Sequence, residues 1–253
     1  MNTDVPGRTL RLVVAYDGTN YAGWQRQANG VSVQQVIEDA LQPFAGTSAP
    51  SLSIMGASRT DAGVHAAGQV ASARVEFDTG ADAVLRGLNV RLPGDVRVLE
   101  VADAAPTFHA RFDARGKRYR YRVATSAVLS PFQRWFVWHL PYVFDVPAMR
   151  TAAAGLVGRH DFTSFQARGA STLDAIRTME RVDIEIVGDE LQVVVEGTGF
   201  VRHMVRIMVG SLLEVGSGRR EPSWLTEVLG ARSREAAGPT APAAGLVLEH
   251  VRY

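Results

Sequence analysis

Residues 10–16 read LRLVVAY, and this β-branched, apolar run favours a strand. Working outward from it, Ser32 and Gln35 form a Ser-x-x-Gln capping box, which predicts a helix that Pro43 ends. The rest of this half comprises two short apolar runs, a second helix and a strand, at residues 52–55, 69–75, about 81–88 and about 96–101. The first half therefore follows the order βαββαβ.

The second half repeats this order. It comprises a strand, a helix with proline in its first turn, a hairpin of two strands, a helix and a last strand, at residues 117–124, 147–156, 182–187 with 191–195, 200–215 and 246–251. Two such units predict an α+β protein of two ferredoxin-like (RRM-like) domains with antiparallel sheets and an active-site cleft between them. The domains are predicted at 1–105 and 106–253, because Pro106 interrupts the pattern.

Composition excludes several classes of protein. The chain of 253 residues contains no cysteine, which rules out disulfide scaffolds, thiolate metal sites and thiol nucleophiles. Residues 1–7 lack the pattern of a secretory signal, and charged residues interrupt the most apolar stretch, 200–215. No zinc spacing, phosphate-binding loop or dinucleotide fingerprint occurs. We therefore expect a cytoplasmic protein without a membrane span, metal or cofactor.

Net charge is +1, yet the charges are segregated along the chain. Residues 109–122 hold six Lys or Arg against Asp113 alone, while residues 174–196 hold seven acids against two arginines. Aromatic residues alternate with the cations in the basic segment, and this pattern suits a phosphate backbone with stacked bases. A solvated strand face behind a buried aromatic face would produce the same alternation.

A second basic cluster stands where a helix is predicted to begin after Gly199. Arg202 and Arg206 would lie on one face with His203 beside them, and like charges at this spacing repel. Cations in the first turns also oppose the helix dipole, so an anionic partner is expected. That partner is either a buried acid or a phosphate.

The most unusual segment is the small-residue loop 56–65, GASRTDAGVH, between two predicted strands. One interpretation is an Asx turn, in which Asp61 bonds its own backbone and Gly63 takes a positive φ. The other is a carboxylate nucleophile held ionised beside Arg59. The residues by themselves leave both open.

Residues 56–66, GASRTDAGVHA, resemble the catalytic motif of the tRNA pseudouridine synthase A family. Further motifs resemble that family in the same order over nearly the whole chain, at residues 16–19 with 23–27, 108–112, 117–121, 161–165, 197–206 and 241–246. Ser58 stands where many members carry glycine, and Tyr21 where many carry phenylalanine.

The resemblance implies a role for each matched residue. Asp61 matches the nucleophile that isomerises uridine to pseudouridine, and Arg59 the arginine that pairs with it and helps to hold the flipped nucleotide open. Tyr119 matches the tyrosine that stacks near the target base and is a candidate for proton handling, and Leu246 matches an apolar residue of the uracil pocket. The implied substrates are uridines 38, 39 and 40 of the tRNA anticodon stem-loop. A homodimer without metal or cofactor is implied as well.

Other positions complete the candidate site. The candidate RNA contacts are His109, Arg111, Arg115, Lys117, Arg118, Arg202, His203 and Arg206. Extruding the target nucleotide from its stack costs a few kcal/mol. Whether Asp61 attacks C1′ of the sugar or C6 of the uracil stays open, and so does the group that takes the C5 proton.

Three competing interpretations remain. A non-catalytic RNA-binding protein of two RRM-like units would explain the topology but not the Arg-Thr-Asp loop. A family member acting on other uridines would share all the motifs. A base-releasing hydrolase that uses an aspartate would liberate free uracil.

Overall fold

The computed structural model of this chain describes residues 7–45, 52–169 and 174–253. The chain divides into two compact units, Met1–Arg115 with Leu248–Tyr253, and Gly116–Val247. The N-terminal residues 1–6, which the sequence predicts to carry no signal, lie outside the described residues. Each unit is described by itself below.

The first unit contains strands and helices in the predicted βαββαβ order. The elements are β1 (Arg8–Tyr16), α1 (Val33–Ala45), β2 (Ile54–Gly56), β3 (His65–Val75), α2 (Ala81–Arg91) and β4 (Val96–Ala104). The strands lie in the order β4-β1-β3, with β2 paired to the remaining edge of β3. All these pairings are antiparallel, as expected.

Local signals fixed the start of α1 better than its end. The backbone N–H of Gln35 donates to Ser32 Oγ at 3.2 Å, so the predicted cap is confirmed. Pro43 lies inside the last turn and the helix continues to Ala45, so the predicted end at Pro43 is wrong by two residues. Proline lacks a backbone N–H and crowds the preceding turn, and the helix ends two residues after it.

The second unit begins with the basic segment. Its elements are β5 (Gly116–Ala124), β6 (Trp138–His139), α3 (Val146–Ala154), β7 (Gly158–Asp161), β8 (Ile176–Val187), β9 (Glu190–Gly197), α4 (Met204–Gly216) and α5 (Trp224–Ala231). β5, β9, β8 and β7 are neighbours in that order, and β6 pairs with β5 in parallel. The last strand, β10 (Leu246–Arg252), brings the C-terminus back to the first unit, where it lies beside β3.

Helix α4 begins later than the sequence predicts. His203 precedes its first residue with a φ of 60°, a left-handed conformation that no helix interior contains. Arg202 therefore lies outside the helix, and the prediction that Arg202 and Arg206 share one helical face is wrong. The apolar period of residues 200–215 did not reveal where the helix begins, because the break depends on the backbone conformation of the single residue His203.

The α+β class is confirmed, while several short elements escaped prediction. β6 and β7 span 2 and 4 residues, too few to show a period. α5 spans only 8 residues. The ferredoxin-like topology of both halves and domains at 1–105 and 106–253 stay predictions.

Candidate active site

The loop that links β2 to β3 carries Arg59 and Asp61. Arg59 is exposed, Thr60 is buried and Asp61 is half-buried. The backbone N–H of Val64 donates to the carbonyl oxygen of Asp61 at 3.1 Å, which closes a tight turn. Gly63 takes a φ of 76° in this turn, so its predicted positive φ is confirmed. The predicted pairing of Arg59 with Asp61 stays a prediction.

Buried groups of β1 and the segment after it hold Thr60. The hydroxyls of Tyr16 and Thr60 are 2.7 Å apart, and the backbone N–H of Trp24 donates to the carbonyl oxygen of Thr60 at 3.1 Å. Tyr16 and Trp24 are themselves buried, with ring centroids 6.0 Å apart. The residue between Arg59 and Asp61 is thus fixed through its side chain and its backbone.

Two glycines allow the opening loop, residues 17–24, to pack against this loop. A Cβ added to Gly18 would lie 2.0 Å from the carbonyl oxygen of Val64. Gly23 has a φ of 100°, and a Cβ there would lie 2.7 Å from the carbonyl oxygen of Thr60. Only glycine permits such an approach of two backbones. The two sequence motifs are therefore parts of one packed structure.

His65 and Tyr21 complete the supporting layer. His65 is buried, and its Nδ1 accepts from the backbone N–H of Gly18 at 3.1 Å and lies 3.1 Å from Asp17 Oδ1. These contacts tie His65 to the opening loop. The Tyr21 hydroxyl donates to Asp95 Oδ1 at 2.6 Å. This hydrogen bond satisfies the phenolic hydroxyl group.

In the second unit, Tyr119 is buried in β5. Its ring lies edge-on to Phe200 with centroids 5.0 Å apart, and its register partner on β9 is Val195. Tyr119 thus packs against the segment that leads to α4.

Leu246 is buried at the first position of β10 and follows a short 3₁₀ turn, Ala243–Gly245. A Cβ on Gly245 would lie 2.6 Å from the ring of Tyr121. The Tyr121 hydroxyl donates to the carbonyl oxygen of Pro242 at 2.8 Å, and burial raises the pKa of this tyrosine. The backbone before Leu246 is held in this way.

Arg206 connects α4 to the segment just before this turn. Its Nε donates to the carbonyl oxygen of Ala241 at 2.7 Å, and the N–H of Ala241 donates back to the carbonyl of Arg206 at 3.1 Å. Exposed Arg202 instead donates to the carbonyl oxygens of Arg168 and Gly169, at 3.3 and 3.4 Å. Carbonyl oxygens thus receive hydrogen bonds from both guanidinium groups, and phosphate contacts of Arg202, His203 and Arg206 stay predictions.

The alternation of β5 separates its aromatic and basic residues. Tyr119 and Tyr121 are buried, whereas the arginines that alternate with them lie on the other face and pair with acids of β8 and β9. These pairs are Arg118–Glu196, Arg120–Glu185 and Arg122–Glu190, with Nε–Oε1, Nη1–Oε2 and Nε–Oε2 distances of 3.4, 3.0 and 2.8 Å. The Arg122 guanidinium lowers the pKa of Glu190. Charges that are segregated along the sequence therefore neutralise one another in space.

The exposed cations of the basic segment lie just before β5. Arg111 and Arg115 are exposed, and Lys117 is half-buried. His109 Nδ1 accepts from the backbone N–H groups of Arg111 and Phe112 at 3.1 and 3.2 Å, and its ring lies 4.2 Å from that of Phe112. His109 therefore orders a loop that presents Arg111 to solvent, and its contact with RNA stays a prediction.

The sequence motifs did not single out Gln69 as a functional residue. Gln69 is fully buried in β3, and its side chain bonds to both backbone polar groups of Ser58. The sequence contains only a weak signal for this role. It shows a polar residue inside an apolar strand, but it does not show which group that residue bonds to.

Neither a membrane helix nor a metal cluster occurs in the part of the chain that the structure describes. In residues 7–45, 52–169 and 174–253, no helix is long and apolar enough to cross a membrane. The same ranges contain no group of three or more His, Asp or Glu that could hold a metal ion.

Comparison with known proteins gives one consistent result. The family model described as tRNA pseudouridine synthase matches residues 12–113 and 152–253. The tRNA pseudouridine synthase A of Myxococcus xanthus is 47% identical over 245 residues, which cover 96% of this chain and 91% of that protein. The proteins of the same name from Limosilactobacillus fermentum and Syntrophotalea carbinolica are 44% and 46% identical, with 96% of this chain and 95% and 96% of those proteins covered.

The chain is thus an isomerase of the pseudouridine synthase class. It belongs to the tRNA pseudouridine synthase A family, which confirms the resemblance of its motifs.

Proposed function

We propose that this enzyme converts uridine to pseudouridine at positions 38, 39 and 40 of the tRNA anticodon stem-loop, with Asp61 as nucleophile and without a cofactor. The observation that carries the proposal is the Arg59-Thr60-Asp61 loop. Arg59 is exposed in this loop and Asp61 is half-buried. The backbone between them is held by the buried residues Tyr16 and Trp24, which bond to Thr60. A nucleophile fixed in this way loses little freedom when the substrate binds.

The reaction needs one covalent exchange and one proton transfer. The bond between N1 of uracil and C1′ of ribose breaks, the base turns, and a bond between C5 and C1′ forms as a proton leaves C5 and N1 takes up a proton. The base must leave its stack before it can turn. The carboxylate of Asp61 serves as the nucleophile in either of the two routes, attack on C1′ or attack on C6, and its bond to that carbon breaks again before the product leaves.

Tyr119 and Leu246 are proposed to contact the target uracil. Both are buried. Tyr119 is held by its packing on Phe200, and Leu246 by the packing of the preceding residue, Gly245, on Tyr121. Rigid apolar surfaces of this kind suit a flat base. The cleft between the two domains and the cytoplasmic location stay predictions.

The proposal is tested with tRNA that carries tritium at C5 of uridine. Pseudouridine formation releases tritium to water and no free uracil, whereas a hydrolase would release free uracil and an RNA-binding protein would release neither. Transcripts that lack uridine 38, 39 or 40 in turn identify the position. Tritium release from a transcript that lacks uridines 38, 39 and 40 together would contradict the proposed target positions.

We further propose that Arg111 and Arg115 contact tRNA phosphates. Both are exposed, while Arg118 already pairs with Glu196 on the neighbouring strand. An exposed cation can approach a phosphate without breaking an ion pair.

Replacing Arg115 with alanine should therefore flatten the salt dependence of tRNA affinity. Each lost phosphate contact reduces the slope of log affinity against log salt by about 1. Arg118→Ala is the matched variant three positions along, and we expect a smaller change because Glu196 competes for this side chain. Titration of labelled tRNA at several salt concentrations measures both slopes. Two slopes equal to that of the wild type would refute the phosphate role.

We also propose that the protein forms a homodimer through residues 128–143. Five large apolar side chains are exposed there, namely Val128, Phe132, Trp135, Tyr142 and Val143. Exposed apolar groups concentrated in this way mark an interaction surface. Arg134 is the only Lys, Arg, Asp or Glu in the segment, so the surface suits another apolar surface better than RNA phosphates.

A further inference from the structure

The Asp61 loop leaves β2 at a point where the sheet ladder ends. Backbone pairing of β2 with β3 runs from Ile54 opposite Ala73 to Gly56 opposite Ala71, and the N–H of Ala57 still donates to the carbonyl of Val70 at 2.8 Å. At Ser58 the partner changes from backbone to side chain. The N–H of Ser58 donates to Gln69 Oε1 at 3.2 Å, and Gln69 Nε2 donates to the Ser58 carbonyl at 2.8 Å.

Gln69 therefore extends the ladder by one residue with its amide. A primary amide matches a peptide group, because it offers one acceptor and one donor side by side. Gln69 is fully buried and Ser58 is half-buried, so both polar groups of the Ser58 backbone would lose this partner at a partly buried position if the amide were absent. The clamp acts three residues before Asp61.

A second anchor lies between the clamp and Asp61. Thr60 is held by the Tyr16 hydroxyl and by the backbone N–H of Trp24. The backbone is thus fixed on both sides of Arg59, at Ser58 and at Thr60, and the second of these anchors directly precedes Asp61. The direction of the Asp61 carboxylate thus depends on where these anchors place the chain.

We propose that Gln69 is a positioning residue, which aims Asp61 at the substrate by clamping the backbone of Ser58. The inference rests on the proposed function and extends it to a residue that does not touch the substrate. A shift of about 1 Å in a reacting group can lower a rate about 100-fold. Loss of the clamp should therefore lower kcat while KM changes little.

Gln69→Glu tests the clamp through its pH dependence. A neutral carboxyl can replace the amide, since its hydroxyl donates to the Ser58 carbonyl and its other oxygen accepts from the Ser58 N–H. The ionised form places an oxygen against that carbonyl oxygen and repels it. Burial raises the pKa of a carboxyl above about 4.3, so the ionisation falls within a measurable range. We expect kcat of the variant to approach the wild-type value at low pH and to fall by up to about 100-fold as pH rises.

Asn89→Asp provides the matched control in the same unit. Asn89 makes an equivalent clamp, donating to the Val98 carbonyl at 2.7 Å and accepting from the Val98 N–H at 3.0 Å, on α2 and β4. It touches no residue of the Asp61 loop through these bonds. We expect any effect there on thermal stability alone, with a pH profile of kcat like that of the wild type.

The measurements are kcat and KM for tritium release from pH 5 to 9, with thermal unfolding of each variant at the same pH values. A kcat for Gln69→Glu that follows the wild-type profile overturns the proposal. An equal pH-dependent fall in Asn89→Asp overturns it as well, since general destabilisation would then explain both. Gln69→Leu, which cannot form the clamp at any pH, should show a low kcat without the additional ionisation. Failure of the proposed function is distinguishable, because wild-type protein would then release no tritium.

Discussion

Asp61→Asn will abolish pseudouridine formation while the protein stays folded and retains its tRNA affinity. The amide has the shape of the carboxylate but cannot act as a nucleophile, and loss of an enzyme's nucleophile lowers kcat by more than about 10,000-fold. The fold should tolerate the change, because the turn uses the backbone carbonyl of Asp61. Tritium release, tRNA binding and thermal unfolding measure the three properties.

Asp82→Asn is the matched control for the removal of one negative charge. Asp82 is exposed in the first turn of α2, outside the Asp61 loop. We expect this variant to keep the wild-type rate. An Asp61→Asn enzyme within tenfold of the wild-type rate would show that Asp61 is not the nucleophile.

Val143→Glu combined with Phe132→Glu will convert the proposed dimer to a monomer. The two side chains are 98% and 90% exposed in one subunit, so the substitutions cost little in an isolated subunit. In a dimer each carboxylate would lose water without gaining a partner, which is strongly unfavourable. We expect the dissociation constant to rise at least about 100-fold, which corresponds to about 3 kcal/mol. Sedimentation velocity over a range of protein concentrations measures it.

Val90→Glu is the control for a carboxylate placed on an exposed valine. Val90 is 82% exposed on α2 of the first unit, outside residues 128–143. It should sediment like the wild type. If the wild-type protein is monomeric at every concentration, the proposal that it forms a dimer is wrong. If the double variant dimerises as tightly as the wild type, the dimer does not form through residues 128–143.

Local sequence signals predicted most of the elements, since they depend on neighbouring residues. The capping box at Ser32 set the start of α1, and alternation along β5 placed Tyr119 and Tyr121 inside. The start of α4 was missed because the left-handed φ of His203 leaves no trace in an apolar period. β6, at two residues, is too short for any period.

The basic segment shows why charge distribution along a chain can mislead. Arg118, Arg120 and Arg122 belong to the basic segment of the sequence, but each pairs with an acid from β8 or β9. These acids lie more than sixty residues away in sequence. Pairing across a sheet depends on strand order and register, which composition does not contain.

The sequence by itself determined the order of most elements, the family and the aspartate proposed as nucleophile, because short motifs and local periods carry that information. Only the tertiary structure decided which cations are paired, where α4 begins and what holds the Asp61 loop. The clamp of Gln69 on Ser58 and the contact of Tyr16 with Thr60 join residues that are 11 and 44 positions apart. Such contacts arise when strands pack together, since a buried polar group must find its partner wherever the fold places one.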